Sequence, residues 1–92
     1  MKTDLTKAVN ILKDGQYTCV LCKGDETYTS TERGVKPLLD WLDSGIDLKG
    51  FFVADKVVGK AAAFLYVLLG VKEVYARVMS ESAIYTLARN GI

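Results

Sequence analysis

The chain has 92 residues, half of them apolar and a quarter charged, with twelve Lys and Arg against eleven Asp and Glu. This is globular composition for one domain with a modest core rather than a disordered segment, and the scattered bases leave no footprint for a nucleic-acid backbone. The N-terminal MKTDLTKAVNILKDG is charged throughout, unlike a signal peptide, and the longest apolar run, Ala61 to Val71, has eleven residues where a bilayer span needs ~20. A cytoplasmic protein without nucleic-acid or membrane partners is expected.

Thr3 or Asp4 can cap a first helix, in which Leu5, Ala8, Val9 and Leu12 fall at helical spacing and Gly15 provides the stop. Strands over Tyr17 to Lys23 and Thr27 to Thr31 flank Gly24-Asp25 as an antiparallel hairpin. STERG, from Ser30 to Gly34, leads into a helix that has Pro37 in its first turn, Leu38, Trp41 and Leu42 as its apolar stripe, and Gly45 at its end. The linker IDLKG reaches a strand over Phe51 to Ala54.

A helix from about Lys56 to Leu69 is expected next, apolar all round and so buried against the sheet and covered on its other side. Val71 to Met79 reads as a strand with Val74, Ala76 and Val78 on one face. Ser80 caps a last helix, whose Ala83, Ile84, Leu87 and Ala88 share a face. Gly91 stops it, and Ile92 can make the hydrophobic contact of a Schellman end. The order α-β-β-α-β-α-β-α predicts a single α/β domain over residues 1–92. It is three-layered, with a mixed sheet built from an N-terminal hairpin and a parallel β-α-β-α unit.

Cys19 and Cys22 form CVLC, a spacing that invites a zinc or redox reading. Three residues apart on a strand, they point to opposite faces and cannot readily pinch one metal. They are read as packing residues without a persistent disulfide, and neither a metal nor a cofactor is expected.

The site argument rests on ADKVVGKAAA, residues 54–63. In a parallel β-α-β-α unit both strands end at one sheet edge, which places Asp55 and Lys56 beside Ser80 and Glu81, where open α/β sheets hold ligands. A lysine in the first helical turn costs ~0.3–1 kcal/mol. The plainer reading is a helix capped by Asp55, with lysines that reach into water and with Gly59 and Ala61 to Ala63 allowing close packing. In the functional reading Lys56 and Lys60, four apart on one helix face, converge on a small anionic or nucleotide-like ligand while Asp55 orients an ammonium. Thr31 and Arg33 form a second candidate for a phosphate or carboxylate, or else a solvated cap with an Arg–Glu surface pair. No Walker or G-x-G-x-x-G pattern occurs, and without histidine there is no Ser/His/Asp set.

YTCVLCKGDETYTSTERGVKPLLDWLDSG and FFVADKVVGKAAAFLYVLLGVKEVYARVMS resemble the DUF1893 family of small bacterial and archaeal proteins. The resemblance implies a cytidine-deaminase-like fold. Zinc deaminases place a His or Cys with a catalytic Glu at one helix start and P-C-x-x-C at the next. Ala54-Asp55-Lys56 and Ser80-Glu81-Ser82 stand there instead, so a zinc-dependent deaminase is not expected. The resemblance implies a further strand and a cysteine-containing tail beyond the final helix; this sequence stops at Ile92, read either as a shortened version or as one with a piece absent, and the family brings no established activity.

Two functions follow as expectations. One is a domain binding a small anionic ligand at paired helix N-termini through Asp55, Lys56, Lys60, Ser80 and Glu81. The alternative is a non-catalytic interaction module that forms a homodimer through an open sheet edge, with Trp41, Tyr28 and Phe52 as candidate anchors.

Overall fold

The computed structural model describes residues 2–92, with side chains from Asp4 onward. The elements are α1 (Lys2–Asp14), β1 (Cys19–Lys23), β2 (Glu26–Ser30), α2 (Lys36–Ser44), β3 (Phe52–Val58), α3 (Lys60–Leu69), β4 (Glu73–Met79) and α4 (Glu81–Arg89). The strands form one mixed sheet in the order β2-β1-β3-β4. β1 runs antiparallel to both β2 and β3, and β3 is parallel to β4. The three-layer α/β fold expected from the element order is the fold observed.

The two sheet faces carry separate cores. α1 covers one face, where Ala8 and Leu12 meet Val20, Cys22 and Ala54. On the other, Cys19, Leu21 and Val53 pack with Leu38, Phe51, Tyr66 and Leu87, drawn from α2, α3, α4 and the segment before β3. Successive residues of β1 therefore serve different cores, as strand alternation requires. Of the suggested interface anchors, Phe52 is buried, while Tyr28 and Trp41 pack half-buried against the larger core.

Several local signals act as read. Gly45 adopts a left-handed conformation after α2. Gly15 allows a close approach instead, because a Cβ there would lie 2.7 Å from the Tyr17 ring. Ser80 caps α4 through its hydroxyl, which accepts from the Ala83 N–H at 3.1 Å. α4 ends in a Schellman pair: the Gly91 N–H donates to Ala88 O at 3.1 Å and the Ile92 N–H to Leu87 O at 2.9 Å.

Other expectations are corrected. α1 already includes Lys2, so Asp4 lies inside its first turn rather than capping it; Asp4 Oδ2 accepts from the Gly24 N–H at 3.3 Å. The side chain of Thr3, the other cap candidate, lies outside the described residues. β1 and β2 start later or end earlier than read, so Tyr17 and Thr31 fall outside the hairpin ladder.

The largest correction concerns β3, which runs on through Asp55, Lys56 and Val57 to Val58. Two β-branched valines follow the lysine, and β3 is one of the two inner strands, with β1 beside it up to Asp55 and β4 beyond. Pairing with β4 reaches Val58↔Met79. α3 starts at Lys60, with Gly59 as an extended N-cap that lends no side-chain hydrogen bond. Lys56 and Lys60 therefore stand on different elements, and Asp55 caps no helix. Nor is α3 covered on its outer side: Phe64 and Leu68 are 50% and 66% exposed. Val78, grouped with Val74 and Ala76 on one face of β4, and Ile84, grouped with Ala83 and Leu87 on one face of α4, are also exposed.

Candidate functional site

Asp55 is the only buried acidic or basic side chain among the described residues. It sits on β3 directly opposite Cys19 of β1. Tyr66, one turn and a half into α3, points its hydroxyl at the same spot and donates to Asp55 Oδ2 at 2.6 Å. Cys19 Sγ lies 3.1 Å from Tyr66 Oη. With the tyrosine proton committed to the carboxylate, the thiol is the donor in that second contact. A chain S–H to O–H to carboxylate results, contributed by β1, α3 and β3.

Burial dominates the electrostatics of this trio. It raises Asp55 above its ordinary value of 3.8, although the Tyr66 hydroxyl and the backbone N–H groups of Val57 and Lys56 pull the other way. Burial, reinforced by the neighbouring Asp55 charge, pushes the Cys19 thiol up to about 12. Tyr66 is raised well above its usual value for the same reasons. Cys19 is therefore a proton donor here and not a thiolate nucleophile.

Asp55 and Cys19 also line a cavity of ≈ 300 Å³, walled by Thr18, Glu32, Arg33, Gly34, Lys56 and Val57. The STERG loop is fastened over it by Thr18, whose Oγ1 donates to Glu32 O at 2.6 Å. The two stretches that read as separate candidates, ADK and STERG, thus meet at one place, bringing Arg33 to Asp55 and Lys56. Thr31 is exposed and does not line the cavity.

The remaining candidates lie elsewhere. Lys60 borders a second hollow between α3 and α4, with Phe64, Ser82, Tyr85 and Arg89, and its ammonium stands 5.9 Å from the Phe64 ring centre. Ser80 serves as the α4 cap, and Glu81 is exposed in the first turn of that helix. The N-termini of α3 and α4 are indeed adjacent, since the Ser80 N–H donates to Val58 O at 3.1 Å, but Asp55 and Lys56 are not part of that edge. A larger hollow of ≈ 820 Å³ runs along Thr6, Lys7, Asn10, Ile11 and Asp14 of α1 and contains no buried polar group.

Cys19 and Cys22 are both buried and unpaired, on opposite faces of β1 as strand geometry requires. Among the described residues no group of three His, Cys, Asp or Glu side chains is placed to hold a metal ion. Among them, too, no helix is long and apolar enough to cross a membrane.

The family model for a domain of unknown function, DUF1893, matches residues 7–92. The chain belongs to the DUF1893 family. A crystal structure of a DUF1893 family protein from Thermotoga maritima superposes with a TM-score of 0.86 at 29% sequence identity. The match covers 99% of this chain and 62% of the Thermotoga chain, so this DUF1893 domain spans under two thirds of that protein's length. No curated protein matches the chain.

Two parts of the site escaped the sequence reading. The sequence places Tyr66 in an apolar helix; a phenol buried there must find a hydrogen-bond partner, and that need is the available signal. The sequence marks Cys19 as a packing residue, and it is buried, while its contact with Tyr66 depends on a strand-to-helix packing that periodicity does not specify.

Proposed function

We propose that this DUF1893 domain binds a small ligand carrying an anionic group in the cavity formed by Thr18, Cys19, Arg33, Asp55 and Lys56. One observation carries the reading: two basic side chains border a concave site of ≈ 300 Å³ whose lining includes the buried carboxylate Asp55. Among the described residues neither Arg33 nor Lys56 takes part in a salt bridge. The volume suits a molecule no larger than about a mononucleotide, at the lower end of the ~300–1,000 Å³ typical of ligand pockets. Buried Asp55, held by Tyr66, would fix its orientation.

The test is amide NMR titration with inorganic phosphate, acetate and uridine monophosphate. Binding of at least one should shift the amides of Arg33, Gly34 and Lys56, and Arg33→Ala and Lys56→Ala should weaken it. As exposed or half-exposed positions, both should stay within about 0.5 kcal/mol of wild-type stability. Shifts confined to α1 or to the α3–α4 hollow, or variants that bind unchanged, would refute the site.

The second reading, an interaction module, is supported by one feature of the β4 edge. Val57 and Val78, paired across β3 and β4, are 64% and 61% exposed, an apolar pair beside an open strand. Under this reading a homodimer forms through β4. Sedimentation over a wide concentration range should then show association that Val78→Lys abolishes; a strictly monomeric profile counts against it.

A further inference from the structure

Charge at the cavity is balanced rather than uniformly positive. Its lining holds Arg33 and Lys56 but also Glu32 and Asp55. Glu32 is engaged outside, 3.6 Å from Lys36. Asp55 has no such cation: among the described residues no salt bridge reaches it, and the one side-chain hydrogen bond it accepts is from the Tyr66 hydroxyl at Oδ2. A carboxylate offers about four acceptor positions, and the Tyr66 hydroxyl occupies one of them. A buried acid without a counter-charge is costly, and it repels a simple anion placed beside it.

Resting on the ligand-binding reading above, we propose that the cavity selects a small zwitterion. An ammonium or similar N–H donor meets an open position of Asp55, and a carboxylate or phosphate meets Arg33 and Lys56. The ligand itself then supplies the missing cation, and its anionic end is kept at the bases rather than at the acid. Tyr66 acts as a positioning residue, holding one carboxylate oxygen so that the other faces the ligand. The raised pKa of Asp55 is what an acid lacking its cation should show.

The experiment compares shape-matched pairs on the wild-type chain by amide NMR at neutral pH: phosphoethanolamine against ethyl phosphate, and β-alanine against propionate. In at least one pair the zwitterion should bind about tenfold or more tightly, the strength of one hydrogen bond to a charged group. The pair with the stronger binder distinguishes a phosphate from a carboxylate ligand. Asp55→Asn, checked for retained fold by its amide spectrum, should bring that ratio close to one. Equal affinities within both pairs, or tighter binding of the amine-free members, would overturn selection for a zwitterion while leaving anion binding in place. No perturbation at Arg33 or Lys56 by any of the four would overturn both.

Discussion

The Tyr66 hydroxyl donates to Asp55 Oδ2 at 2.6 Å, joining the middle of α3 to the central strand through the only buried charge among the described residues. Hydrogen bonds to charged groups contribute ~1.5–3 kcal/mol, and in a domain of this size that is a melting-point change of roughly 6–24 °C. Tyr66→Phe keeps the ring and removes only the donor. Its melting temperature should fall by that amount in calorimetry. An unchanged value would mean that the bond contributes nothing.

The pH dependence of the same group has a definite sign. The folded pKa of Asp55 lies above its unfolded value of 3.8, so the folded chain holds a proton that the unfolded chain has already lost. The resulting stabilisation is complete below the unfolded pKa and is lost as pH rises through the folded one. Asp55→Asn cannot take up this proton. Urea unfolding from about pH 3 to pH 8 should therefore show wild-type stability declining relative to the variant across that interval. A relative gain with pH would contradict the assignment.

Cysteine labelling tests the burial of the thiols. With a pKa of about 12, Cys19 is thiolate at a level of only ~10⁻⁴ at pH 8, and Cys22 is fully shielded in the smaller core. Neither should react with iodoacetamide in the native protein over the time in which both react in denaturant. The oxidised and reduced masses should agree, since the two thiols face opposite sides of β1. Rapid native labelling of Cys19 would show that the cavity floor opens.

The α4 cap gives an independent control remote from the trio. Ser80→Ala removes the acceptor for the Ala83 N–H, a loss of ~0.5–2 kcal/mol. It should lower the melting temperature without changing any binding at Arg33 or Lys56. Loss of binding in this variant would place the ligand at the α4 N-terminus instead.

Much of the architecture could be read from punctuation: Gly24-Asp25, Pro37, Gly45, Gly70, Ser80 and Gly91 all stand at element boundaries. The step that failed was ADKVVGK. Locally, Asp-Lys followed by an apolar run can open a helix; in the folded chain Lys56 donates its N–H to Thr18 O at 3.1 Å and the valines extend the strand along β4. Such pairing joins residues far apart in sequence, and no local pattern reports it. For the same reason Arg33 and Asp55 looked like separate candidates. Individual residue types were legible; their meeting was not, because it depends on which strand neighbours which.

The pairing of Cys19 with Asp55 also guards the alignment of β1 against β3. If β1 slid by a single residue, every one of its side chains would change face. The thiol would turn toward α1, and Val20 would be set against the carboxylate and the phenol. An apolar methyl pair can satisfy neither, so the misaligned sheet would bury an acid beside valine. Hydrophobic pattern and turn geometry set the alignment of a β-strand; this one carries a polar key as well, turned only when β1, β3 and α3 have all arrived in place.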